Sequence, residues 1–473
     1  MLLGVGIEQP GYSPLDDTAR RRIVGMVLFV YVLLIVEGVL RKWLLPELSR
    51  ALFFVRDPFV LGVYVMAIAS GHWPRNSPWL NVALLLALLS SALAMVQVAL
   101  GIGNLQSPVI FAAYGLRNYF FYIPLAFIIA DTFRAEDFYR VAAITFALVT
   151  VSAGVVVLQF YAPVDSPINV GSSDNILLQF RGLGLNERHT RPMGLFTADA
   201  GQKQLVVSAL AMVLAGWSGA LHRGSALRML LPFATVAVLT CLAFSGSRGA
   251  ILSAGLVMMA ALVAVARGGT SLHRGRILGV IAGVCVVAAA LTLLFFTDGI
   301  AAFLERWSSA QDFESQQFSG GIFGRALYGF IDFARLMSAT PLTGYGVGMG
   351  GNAAIMAATN AGETLQYTAE TDWSRHVVDL GPVLGLLFIG FRILLVLALT
   401  RRALASRSVL AVLLLGYLAY ELLLGQITGQ GTINGYAWMF TGFTLAAAGW
   451  STHPVPVLKG ASPQQACFPN LMR

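Results

Sequence analysis

Four polar clusters interrupt an otherwise apolar chain of 473 residues, and each carries side chains able to do chemistry. The first reads Arg181-Gly-Leu-Gly-Leu-Asn-Glu187-Arg188-His189-Thr-Arg191-Pro-Met-Gly194-Leu-Phe196. The second, Phe244-Ser245-Gly246-Ser247-Arg248-Gly249, closes an apolar run. The third begins at Gly324-Arg325 and continues with Pro341-Leu-Thr-Gly344-Tyr345-Gly346-Val-Gly348. The fourth is Glu370-Thr-Asp372-Trp373-Ser-Arg375-His376-Val-Val-Asp379-Leu-Gly381. Arginine is always charged and grips oxyanions with paired N–H groups. A carboxylate or imidazole within hydrogen-bond reach can take a proton from a hydroxyl. Gly344, Gly346 and Gly348 read as a tight turn whose bare backbone can approach a lipid or an anion. They do not read as a dinucleotide loop, which needs a strand before, a helix after and a ribose-binding acid beyond. No paired-acid motif or His/Cys cluster is present, so a metal-independent chemistry without a cofactor is expected. Cys241, Cys285 and Cys467 encode neither a disulfide framework nor a zinc site.

The elements that must position these residues are membrane helices. Charged residues are 11% of the chain, where a soluble domain has roughly 25%. Apolar residues are 57% and the mean hydropathy is +0.74. A soluble fold cannot hide that much apolar surface, and disorder needs the opposite composition. No stretch strings Lys and Arg together with aromatics, so nucleic acid is not an expected partner. A hydrocarbon core of roughly 30 Å takes about 20 helical residues. About twelve stretches qualify, near 23–40, 52–70, 79–100, 109–130, 139–160, 204–220, 229–246, 249–266, 277–296, 380–399, 408–427 and 435–450. The expected fold is therefore an all-α polytopic membrane protein forming one membrane domain. The first span does not read as a cleaved signal peptide, because polar residues precede it and no small-residue cleavage pattern follows.

Basic residues orient the spans. With the N-terminus inside, the cytoplasmic segments hold Arg20, Arg21 and Arg22, Arg75, Arg134 and Arg140, Arg223 and Arg228, Arg267, Arg274 and Arg276, Arg401, Arg402 and Arg407, then Lys459 and Arg473. Both termini are then cytoplasmic. Two long extracytoplasmic loops result, 161–203 and 297–379, and the second carries an amphipathic run over 325–337 expected to form short helices at the membrane surface. All four polar clusters fall on that outer face. Glu37, Asp57, Arg117, Arg392 and Glu421 lie in or near spans, where an ionisable group either pairs with a neighbour or lines a polar cavity.

Together with the spans, these clusters resemble the O-antigen ligase / O-antigen polymerase family of bacterial membrane proteins. The matching pieces are Arg-x-x-Gly-x-Phe at 191–196, Ser-x-Ser-Arg-Gly at 245–249, Arg325 followed by Pro-Leu-Thr-Gly-x-Gly-x-Gly at 341–348, and Asp-x-Gly-x-x-x-Gly at 379–385. Their order and spacing agree over about residues 180–400. The resemblance implies an inner-membrane enzyme whose donor is an undecaprenyl-diphosphate-linked glycan used on the extracytoplasmic side. Polymerases pass that glycan to another lipid-linked repeat unit; ligases pass it to lipid A core. Ligases commonly place a histidine two or three helical turns before the acidic-Gly motif. In this chain that register falls near Glu370 rather than His376, which ranks polymerase ahead of ligase.

The same resemblance assigns roles. A sugar leaving from a diphosphate needs no general acid, unlike a glycosidic oxygen, but the growing charge must be stabilised. Fixed donors aimed at developing charge contribute roughly 2.7–4 kcal/mol each. Arg191, Arg248 and Arg325, with Arg375, are the expected diphosphate ligands, and Gly344, Gly346 and Gly348 shape the loop beside them. Glu370 is the preferred base, ahead of His376 and Asp372. The expected partners are the lipid-linked glycan donor, a glycan or lipid-linked acceptor and membrane lipids. The rival from another class is a small-solute transporter, which would show inverted repeats and a midplane site. No such repeat is evident, and the polar clusters lie at one face.

Overall fold

Proline marks where many of the helices begin. It is pre-set for the first helical turn, where its missing N–H costs nothing. In a computed structural model the structure describes residues 14–102, 108–170, 182–183, 189–221, 224–267, 321–351, 371–406 and 408–449, plus isolated positions between 275 and 311 and at 354 and 369. Pro14 opens α1 (Pro14–Val39), Pro58 lies in the first turn of α2 (Asp57–Ala69), Pro78 opens α3 (Pro78–Ala99), Pro108 opens α4 (Pro108–Phe120) and Pro124 lies in the first turn of α5 (Ile123–Thr132). There follow α6 (Ala135–Tyr161), α7 (Asp199–Ser218), α8 (Ser225–Phe244), α9 (Arg248–Arg267), α10 (Gly321–Ala339), α11 (Asp372–Ala405), α12 (Val409–Leu424) and α13 (Gly431–Gly449). Among the described residues, apart from a two-residue antiparallel pairing of Gly182–Leu183 with His189–Thr190, the regular structure is helical.

Among the described residues, seven helices are long and apolar enough to cross a membrane: Asp17–Leu44, Pro46–Ala69, Pro78–Ala99, Ala135–Tyr161, Ser225–Phe244, Arg248–Arg267 and Asp372–Ala405. Their outward faces are apolar. Leu88 is 67% exposed, Met95 71% and Met259 59%. A lipid solvent accounts for such a surface; water does not. The chain is thus a helical, membrane-embedded protein. Where the sequence predicts one span over 109–130, the chain breaks at Phe121 and Tyr122 into α4 and α5, each too short to span alone. The expected span 277–296 lies almost wholly outside the described residues. α7 and α13 are the most enclosed helices, buried on nearly every side, and their Gly and Ala positions admit close neighbours. A Cβ on Gly442 would fall 2.6 Å from the Ala126 carbonyl of α5.

Polar contacts tie the helix ends together at both ends of the bundle. At one end, Arg20 bonds the Thr132 carbonyl and the carboxylates of Glu136 and Asp137, and Arg267 reaches the Leu404 carbonyl. At the other, Lys42 bonds the Gly194 carbonyl, Arg117 pairs with Asp57, Arg56 with Glu37, and Gln97 with the backbone of Thr343, Val347 and Asp379. The four polar clusters belong to this second end wherever they are described.

The fourth cluster opens a helix. Asp372, Arg375, His376 and Asp379 are not loop residues: Thr371 caps a helix at this point by accepting from Ser374 N–H, and α11 runs on for 34 residues. It contains one break. Gly381 has φ +75°, a conformation that glycine reaches without strain, and Pro382 follows without an N–H to continue the ladder.

Candidate functional site

The Arg-x-x-Gly-x-Phe motif is held from three sides. Gln159 Oε1 accepts from the N–H groups of Met193 and Gly194 at 3.0 and 2.8 Å, and Lys42 Nζ donates to the Gly194 carbonyl at 2.8 Å. Phe196 packs on Gly201, in the first turn of α7, where a Cβ would meet the ring at 2.5 Å. This places Arg191 beside the start of α7, with Nη2 2.5 Å from Asp199 Oδ2. One turn further, Lys203 Nζ lies 2.7 Å from Glu421 Oε1 of α12 and 4.6 Å from the Tyr420 ring. The Ser-x-Ser-Arg-Gly motif closes the other side. Ser245 Oγ donates to the Leu242 carbonyl at 2.8 Å, capping α8, and Ser247 Oγ accepts from Ala250 N–H at the start of α9. A Cβ at Gly249 would stand 4.0 Å from Lys203 Nζ, so the two helix starts adjoin.

Together these residues line a narrow cleft. Its wall is formed by Arg191, Asp199, Gln202, Lys203, Ser245 and Ser247, with Cys241 at its base bonded by Gln202. Two helix N-termini, those of α7 and α9, end there, and such termini favour negative charge. Arg191 Nε is buried without a hydrogen-bond partner. Arg248 begins α9 and carries its guanidinium 5.6 Å from the Trp307 ring.

A second cluster lies within α11 and is wholly buried. Asp372 Oδ1 accepts from Arg375 Nη1 at 3.0 Å and from Thr428 Oγ1 at 2.8 Å, and its Oδ2 accepts from Arg392 Nη1 at 2.5 Å. Arg375 Nε also donates to the Gly350 carbonyl, and Arg392 donates to the carbonyls of Leu422 and Gly425. One carboxylate thus serves two guanidinium groups that also donate to backbone carbonyls, an arrangement that makes buried charge tolerable. His376 joins a directed chain. Arg392 has only donors, so His376 Nε2, 2.6 Å away, accepts. Nδ1 therefore carries the proton and donates to Tyr119 Oη at 3.0 Å, and Tyr119 donates to Asp379 Oδ2 at 3.1 Å. Gly350 N–H completes Asp379 at 2.6 Å.

The two clusters meet through the last turn of α12 and the segment after it. Glu421 faces Lys203, the Leu422 and Gly425 carbonyls face Arg392, and Thr428 faces Asp372. Nearby, Glu37 bridges Arg41 and Arg56, and Asp57 pairs with Arg117 and Tyr122. Two carboxylates here each hold two cations: Arg375 and Arg392 share Asp372, and Arg41 and Arg56 share Glu37.

The structure brings Arg191 together with Ser245 and Ser247 in one cleft, leaves Arg248 at the start of α9 over Trp307 and outside the cleft wall, and places Arg375 in the other cluster, engaged with Asp372 and Gly350. Asp372 and His376 are buried in that same cluster, with the Asp372 oxygens and both imidazole nitrogens already engaged. Arg325 has helical backbone in α10, and its side chain lies outside the described residues, as does Glu370. The glycine turn differs in its partner from the expectation. Gly344, Gly346 and Gly348 all have positive φ, and the close approach that Gly344 and Gly348 permit is to the protein's own backbone. A Cβ at Gly344 would fall 2.7 Å from the Asp379 carbonyl, and one at Gly348 2.3 Å from that of Phe111. Sequence reasoning passed over Lys203 and Asp199. Their signal was present: Lys203 is one of three lysines in the chain and follows Asp199 by one helical turn. Tyr119 carried no such signal, being one aromatic in an aromatic run.

No protein-family profile matches the chain, and no curated protein is significantly similar to it.

Proposed function

We propose that this protein is a membrane glycan transferase that moves an oligosaccharide from a polyprenyl diphosphate to an acceptor hydroxyl, with polymerisation of lipid-linked repeat units favoured over ligation to lipid A core. The observation that supports this reading is the convergence of Arg191, Lys203, Ser245 and Ser247 on one cleft, at the end of the bundle that also holds Arg248, Arg375 and Arg392. In the reaction, the bond between the sugar's anomeric carbon and the diphosphate oxygen breaks, and the electron pair leaves with the diphosphate. The acceptor oxygen forms the new bond to that carbon and loses its proton to a base, which we assign to Glu370. Arg191 supports the departing charge with two N–H groups, and Arg248 with Arg325 extends the cationic surface. The buried Asp372–Arg375–Arg392 knot fixes the start of α11 and so holds the preceding segment in place. Within this reading the full chain makes twelve spans, both termini are cytoplasmic, and the cleft opens to the extracytoplasmic side of a bacterial inner membrane.

A transporter is the second reading. It draws on the buried His376–Tyr119–Asp379 chain, since relays of this kind mark proton paths through membranes. Glycan profiles of a deletion strain test both. A polymerase defect leaves single repeat units on the carrier, a ligase defect leaves long carrier-linked chains, and a transporter defect leaves the glycan profile unchanged.

A further inference from the structure

Glu421 is an ionisable side chain for which the transfer reaction above has no use. It sits on the apolar helix α12, is 1% exposed, and neither carboxylate oxygen has a hydrogen-bond partner. Among the described residues its counter-charge is Lys203 Nζ at 2.7 Å. Lys203 in turn lines the cleft beside Arg191, whose Nε is buried and unpartnered and whose Nη2 rests on Asp199. Each cation of the cleft wall thus holds one carboxylate of the protein's own, and the two pairs sit where two helix N-termini end.

Resting on the donor reading above, we propose that Lys203 is a second ligand for the lipid-borne diphosphate and that Glu421 and Asp199 occupy the two cations while the cleft is empty. A diphosphate has oxygens enough to engage Arg191 through its fork and Lys203 as a point charge at the same time. The Arg191–Asp199 pair opens readily, because Asp199 is 36% exposed and water solvates it once released. Lys203 has a flexible stem and three donors, so it can turn toward the anion and keep one donor on Glu421. Glu421 then sets how tightly the cleft holds its anion: it keeps the ammonium in place and competes for it.

The test uses the full chain purified in detergent, with farnesyl diphosphate as the probe and farnesol and inorganic diphosphate in parallel. The wild type should bind farnesyl diphosphate, prefer it to inorganic diphosphate and ignore farnesol. Glu421→Gln should bind more tightly, because Lys203 loses its competitor. Lys203→Met alone leaves a carboxylate buried without a counter-charge and can fail to fold, so the decisive variant is the neutral pair Lys203→Met with Glu421→Gln. It should keep the wild-type thermal transition and lose affinity by about ten- to hundredfold, the span of one hydrogen bond to a charged group. Undiminished affinity in the double variant, or unchanged affinity in Glu421→Gln, overturns the assignment and leaves the pair a structural bridge. Equal affinity for inorganic diphosphate overturns the lipid source. Absence of farnesyl diphosphate binding by the wild type overturns the donor reading itself.

Discussion

Arg191 lines the cleft and Arg248 begins the neighbouring helix α9, and their surroundings differ. Arg191 rests on a half-exposed carboxylate that a ligand can displace, whereas Arg248 lies over an aromatic ring. Arg191→Ala should lower chain extension by about 10²–10³-fold, the usual cost of a lost donor to developing charge. Arg191→Lys should rescue poorly, because an ammonium offers no two-oxygen grip. Glycan gels at matched protein levels measure both, and full activity in the Lys variant would reduce Arg191 to a general positive charge. The base is a second question at this scale. Glu370→Gln should lower turnover by about 10²–10⁴-fold with donor binding intact. His376→Gln should do less, since its two nitrogens already bond Arg392 and Tyr119 inside the protein. The reverse ranking in a transfer assay would make His376 the base.

At the scale of elements, α11 is the part that organises the site. Its first turns carry Asp372, Arg375, His376 and Asp379, and its break at Gly381 lets the 341–350 turn pack against it. Tyr345 N–H bonds the Val378 carbonyl at 2.7 Å, and a Cβ at Gly381 would fall 2.1 Å from the Leu342 carbonyl. Gly381→Ala therefore adds both a clash and a strained positive φ. It should destabilise the fold by about 1–3 kcal/mol or more, visible as a lower thermal transition of the purified protein. An unchanged transition would mean that the turn moves away freely. α10 is joined to the same helix by Asp332, which accepts from Ser374 Oγ, and by Phe330 and Phe333 against Trp373. Leu327 and Ile331 on α10 stay exposed, as expected of a helix lying in the membrane interface.

For the whole molecule, the contacts at the two ends of the bundle make the membrane orientation testable. Asp165, after α6, and Ser225, at the start of α8, lie exposed at opposite ends. With the cleft extracytoplasmic, a cysteine at 165 should react with an impermeant thiol reagent in spheroplasts, and one at 225 only after lysis. The opposite pattern would put the cleft in the cytoplasm and remove the lipid-linked donor with it. The charge pairing at the cleft end is a property of the assembled bundle, because helices distant in sequence contribute to it.

Membrane residence was legible in the sequence because it depends on composition and run length, which need no folding to count. The cleft was half legible. Arg191 and Ser245–Arg248 stand out as polar motifs at the ends of apolar runs, and a short polar motif keeps its meaning wherever its helix is packed. Lys203, Glu421 and the His376–Tyr119–Asp379 chain were decided only by tertiary structure. A lysine one turn into one helix and a glutamate near the end of another each stand out beside apolar runs, but 218 residues separate them and nothing in the sequence pairs them. The same holds for the glycine turn: sequence shows that the backbone can come close to something, while the packing of α4 and α11 decides that the something is protein. Long-range pairing in a lipid solvent follows from which helices abut, since a buried charge must find its partner within the bundle, and local spacing does not encode that neighbour.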